Sequence, residues 1–167
     1  YAGTSSEGGS KAAEALMAAD PNLDALIPAG GGGDPLQGVI AAVERAGKTA
    51  DIDIVSTDFL PDLGERLKNG SMAGESGGHY CDPLFSFMMV YNAIKGNYTG
   101  IEGKFEDVLF PYLYVSSPED YVDYEKYFVE KLPYTKEELV SMSELSLDDL
   151  KASAAKLSIQ DAMERAK

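Results

Sequence analysis

Cysteine is almost absent: Cys81 stands alone among 167 residues, so no internal disulfide and no thiolate metal cluster can form. We read it as a small buried hydrophobe. Basic residues are scarce as well. Fourteen Lys and Arg against 28 Asp and Glu give a formal charge of −14, a field that repels phosphate backbones and argues against nucleic-acid binding. The same field suits a secreted or cell-surface protein without settling the compartment. No apolar run approaches the roughly 20 residues needed to span a bilayer. The glycines of Gly30–Gly33 are followed by neither a Walker Lys-Ser/Thr pair nor a GxGxxG spacing, which speaks against a nucleotide cradle. No G-x-S-x-G elbow is present to make a nucleophile. Internal repeats and low-complexity tracts are also missing. Neither an initiator Met nor an export signal precedes Tyr1, and the chain reads as processed or truncated.

What is present reads as an α/β domain with an open, mainly parallel sheet and flanking helices. Two strand-then-helix units lie between Asp20 and Asp58, with strands at Asp24–Pro28 and Asp51–Ser56, each followed by a polar turn. Thr4 to Glu7 resembles a capping box that opens a helix to Ala19. Pro35 after Asp34 opens a helix stopped by Gly47, and Pro61 opens a short one ending at Asn69-Gly70. Met72–Ser76 is a third strand. Asp82-Pro83 starts a helix to Gly96 whose Leu84, Phe85, Phe87, Met88, Met89, Val90, Tyr91 and Ile94 are apolar nearly all round, which predicts burial on more than one side. Residues 97–106 form a polar loop, and Val108–Val115 reads as an edge strand because Pro111 lies inside it. Ser117-Pro118 begins a helix to about Lys131, with Tyr121, Tyr124 and Phe128 as a packing stripe. Thr135–Glu138 and Ser146–Asp149 are further capping patterns, and Leu150–Ala166 is Ala-rich and helical. The expected organisation is a ligand-binding lobe over 1–131 and a helical C-terminal extension over 132–167.

Ligands of open α/β sheets bind outside the carboxyl ends of the strands. Three loops qualify. Gly33 allows close approach of a ligand, and Asp34 is either a helix cap or a hydroxyl acceptor. Thr57-Asp58 ends the second strand; a carboxylate there can accept two hydroxyl hydrogen bonds at once, or can cap the helix led by Pro61. The only histidine, His79, follows Gly77-Gly78 beside Tyr80. It can hydrogen-bond a ligand or stand as a surface residue, while Tyr80 can stack on an apolar sugar face. A metal would require more ligands than His79, Asp34 and Asp58 provide, so no metal and no cofactor is expected.

Lys11–Ile27, Leu36–Lys48, Ile54–Asp58, Leu67–Gly74, Asn92–Gly96 and Tyr112–Tyr124, taken in order, resemble the C-terminal half of the type I periplasmic sugar-binding proteins of ABC transporters. The resemblance implies one of two α/β lobes that close on a small polar solute, with no enzymatic activity. It implies that Asp58 binds ligand hydroxyls and that the loop Gly32–Asp34, which usually supplies an Asn or Asp, carries glycines here. Gly77–Tyr80 likewise lacks the family's usual Asn or Gln. An earlier lobe ahead of Tyr1, a permease partner, and an extracellular or periplasmic, lipid-anchored location belong to the same expectation, as does weak or absent binding by this piece alone. Homodimer formation through apolar surface of the Leu84–Ile94 helix is also expected. The alternative reading is the effector-binding domain of a LacI-type regulator, which shares the fold. A third, enzymatic reading requires Asp58 and His79 within hydrogen-bond reach or one water apart.

Overall fold

The computed structural model describes residues 3–29, 33–77, 82–98 and 104–167. In chain order these form α1 (Ser6–Ala19), β1 (Ala25–Leu26), α2 (Asp34–Arg45), β2 (Asp53–Thr57), α3 (Leu63–Asn69), β3 (Gly74–Gly77), α4 (Asp82–Lys95), β4 (Leu113–Val115), α5 (Pro118–Tyr124), a π-helical turn (Glu125–Val129), α6 (Lys136–Met142), α7 (Leu147–Ala154) and α8 (Ile159–Arg165). They fall into two compact units, Tyr1–Gly77 with Tyr114–Val122, and Gly78–Leu113 with Asp123–Lys167.

The first unit is built on the sheet, whose strands lie in the order β1-β2-β3-β4. β1 and β2 pair in parallel with Leu26 opposite Ile54, and β2 and β3 pair in parallel with Ser56 opposite Glu75. Strand order therefore follows chain order without reversal. Right-handed crossovers then carry α2 and α3 to one face of the sheet. Burial agrees: Leu26, Ile54 and Val115 are buried, whereas Ile27 and Tyr114, one position along, are 72% and 70% exposed. Leu36, Ile40 and Val43 of α2 and Leu63 of α3 complete this core. α1 lies against α2 at backbone distance. A Cβ on Gly9 would sit 2.1 Å from the Pro35 carbonyl oxygen, and one on Gly38 would sit 1.9 Å from that of Ser6.

Several boundaries differ from the sequence expectation. The cap of α1 is Ser5, whose hydroxyl accepts the Gly8 N–H, not Thr4. The strands at 25–26 and 74–77 are shorter than or displaced from the expected runs. Pro111 stands outside β4 rather than within it, as a residue without an amide donor should. Ala-rich 150–166 is two helices, because the hydroxyl of Ser158 accepts the Asp161 N–H and starts a new one. The Ser117, Thr135 and Ser146 caps are where the sequence places them.

In the second unit, Phe85 and Met88 of α4 are buried, with Phe110 and Tyr134 around the Phe85 ring at 5.6 and 6.1 Å. The same helix exposes Phe87, Val90, Tyr91 and Ile94, a stripe at positions i, i+3, i+4 and i+7, so burial on more than one side is not observed. The remaining described residues of the unit cover one face only. Asn92, 1% exposed, donates from Nδ2 to the carbonyls of Met142 (2.9 Å) and Leu145 (3.1 Å), holding the end of α6 to α4. Asn92→Leu strands two carbonyls, and a loss of about 2 kcal/mol in urea unfolding is the expected result. An unchanged midpoint would mean that these carbonyls find water instead.

Candidate functional site

A cleft of about 460 Å³, within the size range of small-molecule sites, runs along the strands from Ala73 and Gly74 at the start of β3 to Thr57 at the end of β2. Ile27, Pro28, Ala29, Val55, Ala73 and Val115 supply its apolar lining, Ser56, Thr57, Ser76, Ser116 and Tyr114 supply hydroxyls, and Gly74 and Glu75 complete it. It lies within the first unit. The parallel register explains the clustering, since Thr57 stands opposite Ser76, so the two hydroxyl-bearing residues end adjacent strands at one level. The Ser56 hydroxyl reaches the Pro28 carbonyl at 3.5 Å.

Asp58 follows Thr57 with φ of +67°, the one non-glycine residue in the left-handed region among the described residues. Aspartate tolerates this conformation better than most side chains. Its N–H donates to the Ser76 carbonyl at 2.7 Å, which fixes the turn between β2 and α3. Asp58 is exposed, is not among the residues lining the cleft, and does not cap α3, whose N-cap position is Asp62. Gly33, with φ of +103°, occupies the N-cap position of α2. Asp34 is accordingly in the first turn and not the cap, where its charge still favours the helix dipole. Neither Gly33 nor Asp34 lines the cleft. His79 and Tyr80 lie outside the described residues, as does Cys81, and with them the Asp58–His79 pairing. Among the described residues no group of three or more His, Cys, Asp or Glu is arranged to hold a metal.

The sequence reading missed Glu75. This carboxyl is 4% exposed; one oxygen accepts the Leu60 N–H at 2.7 Å, and the other, Oε1, is buried without a hydrogen-bond partner. Burial pushes its pKa up to about 7, the Leu60 amide pulls it down, Asp58 and Asp62 push it further up, and Arg66 opposes them. Arg66 is itself committed to Asp62 at 2.8 Å and to the Gln37 side chain at 2.6 Å. Ser76, Ser116 and Tyr114 were also missed. Their common signal is position one residue from a buried strand residue, which becomes readable only when the strand ends are known.

No family model matches the chain. No curated protein matches it either. Solved structures do. An ABC transporter periplasmic solute-binding protein from Actinobacillus succinogenes, with bound D-allose, is 21% identical with a TM-score of 0.53 over 74% of this chain and 41% of that one. A glucose-galactose binding protein from Geobacillus stearothermophilus is 16% identical, TM-score 0.51, over 69% of this chain and 39% of that one. A structure from Mycobacterium smegmatis in complex with β-D-fucofuranose is 22% identical, TM-score 0.51, over 83% and 41%. The chain thus spans about two fifths of the length of these structures. No helix among the described residues is long and apolar enough to cross a membrane. The fold of this chain is that of a lobe of a type I periplasmic solute-binding protein.

Proposed function

We propose that the chain is a sugar-capturing lobe of a solute-binding protein that delivers its ligand to an ABC transporter permease, and that it catalyses no reaction. The observation that carries this reading is the cleft, lined by Thr57 and Ser76 from adjacent parallel strands, with the exposed Asp58 next to Thr57 in the chain. Sugars present both hydroxyls and apolar C–H faces. The hydroxyls here can donate and accept, Asp58 can accept twice, and the exposed Tyr114 ring offers a stacking surface. Structural neighbours with D-allose and β-D-fucofuranose support a carbohydrate as ligand. A net charge of −14 favours a transport role over a regulator whose other domain must approach DNA. The expected location is the periplasm or the cell surface, with lipid anchoring as the surface form. Gly33, Asp34, His79 and Tyr80 are kept as further candidate ligand contacts, and the exposed Phe87–Ile94 stripe is where a second copy would pack.

Titration of the ¹⁵N-labelled chain with D-allose, D-glucose and D-galactose tests the assignment. We expect binding near millimolar, with amide shifts centred on Thr57, Asp58, Ser76 and Ser116, and an affinity about tenfold lower in Asp58→Asn, or about 1.4 kcal/mol. Micromolar binding that survives Asp58→Asn, or shifts that avoid these residues, would sink it.

A further inference from the structure

Two apolar surfaces of this chain are left open by the described residues. The first is a face of the sheet: Ile27, Val55 and Tyr114 alternate with the buried Leu26, Ile54 and Val115 and so share the opposite side of the strands. Gly74, opposite Val55 in register and without a side chain, hollows that face between β2 and β4. Parallel sheets are normally covered on both faces. The second surface is the exposed stripe of Phe87, Val90, Tyr91 and Ile94 on α4, a helix with no charged residue from Pro83 to Ile94.

We propose that the chain forms a reciprocal dimer, in which the α4 stripe of each copy lies across the open sheet face of the other and closes its cleft. Area selects this partner. From their exposed fractions the four stripe residues present roughly 400 Å², and Ile27 with Tyr114 roughly 300 Å². Two stripes packed on each other would bury only about half of the roughly 800 Å² per partner typical of a stable interface. The reciprocal contact uses both patches of both copies, about 700 Å² on each, and is self-complementary as a two-fold dimer must be. Charge agrees. Glu75 is the one charged residue among the described residues lining the cleft, and its carboxyl is bonded to the Leu60 amide. Copies carrying −14 repel each other, and this contact joins the surfaces that add least to the repulsion. Salt should therefore tighten the dimer, whereas it weakens an ion-paired one. Tyr114, the ring offered to a sugar, is covered by the partner, so ligand and second copy exclude one another. That exclusion rests on the sugar-binding reading; the dimer does not.

Sedimentation velocity over a concentration series should show a monomer–dimer equilibrium in the micromolar range that tightens with added salt. Two double variants at exposed positions locate the contact: Val90→Ser with Ile94→Ser on the stripe, and Ile27→Ser with Tyr114→Ser on the sheet. Each alone should dimerise at least about tenfold more weakly than the parent. Their equimolar mixture should recover a heterodimer, because the stripe of one and the sheet face of the other are intact. A parent that stays monomeric, association that salt weakens, assembly that grows beyond two copies, a sheet variant that dimerises like the parent, or a mixture no tighter than its components overturns the proposal. The first three outcomes need no variant. D-allose should dissociate the dimer; if it binds without doing so the shared face is refuted, and if it does not bind, the sugar assignment alone is damaged.

Discussion

Gly38→Ala is expected to destabilise the first unit by about 2–4 kcal/mol, enough to lower the melting temperature by roughly 5–15 °C. The sign is not obvious in advance. Gly38 is in the interior of α2, where alanine is favoured by up to about 1 kcal/mol on helix propensity alone. Packing reverses this. The added Cβ would lie 1.9 Å from the Ser6 carbonyl oxygen and 2.9 Å from the Ser10 amide nitrogen, both backbone atoms of α1. Backbone cannot rotate aside as a side chain can, so the two helices must separate. Their separation uncovers Ala13, which is 1% exposed. Gly64→Ala is the informative contrast, because its Cβ would meet the Tyr121 ring at 2.5 Å, and a ring can swing. Thermal unfolding followed by circular dichroism decides the matter: a Gly38→Ala protein as stable as the parent would show that the close α1–α2 approach is not required.

Raising the pH from 5 to 8 should cost the protein about 2 kcal/mol through Glu75, and Glu75→Gln should abolish that loss. The folded-state pKa is raised, from 4.5 to about 7, so between those values the folded state holds more proton than the unfolded state. Stability then falls as pH rises through this window, and above it the penalty is complete. The full shift corresponds to about 3 kcal/mol, and partial solvent screening reduces it to about 2. Depressed acids work the other way. Burial pushes Glu138 up, but the Thr135 amide and Arg165 outweigh it and leave its carboxyl below the usual range, so its contribution is lost only in acid. Urea midpoints at pH 5 and 8 for the parent, Glu75→Gln and Glu65→Gln separate burial from simple charge removal, since Glu65 is exposed on α3. A parent as stable at pH 8 as at pH 5, or a Glu65→Gln variant that matches Glu75→Gln, would refute the assignment.

Helix starts were the most legible part of this fold, because a cap is written in three or four adjacent residues. Ser117, Thr135 and Ser146 each offer a hydroxyl to an amide three residues on, and no distant contact is needed to make that bond favourable. Strands were less legible. Gly74–Gly77 reads Gly-Glu-Ser-Gly, with no β-branched or aromatic residue, and is a strand only because β2 supplies its partner. The α4 stripe misled for a related reason: apolarity on a helix says that something should cover a face, not that this chain does so. At the site, Thr57 was legible as a strand end, and the structure places it in the cleft. Ser76 and Ser116 depend on register, and Glu75 depends on the loop after β2 reaching over the neighbouring β3, neither of which leaves a periodic mark in the sequence.

The strand order carries one more consequence, for how the sheet assembles. Each strand pairs with the next in sequence, Leu26 with Ile54 and then Val55 with Gly74, so no pairing must wait for a distant strand to be inserted between two neighbours. Loop closure spans one crossover at a time, which keeps the entropic cost of each step low for a parallel sheet. The sheet can grow from either edge by accretion, and removing an edge strand shortens it without opening a gap in its middle.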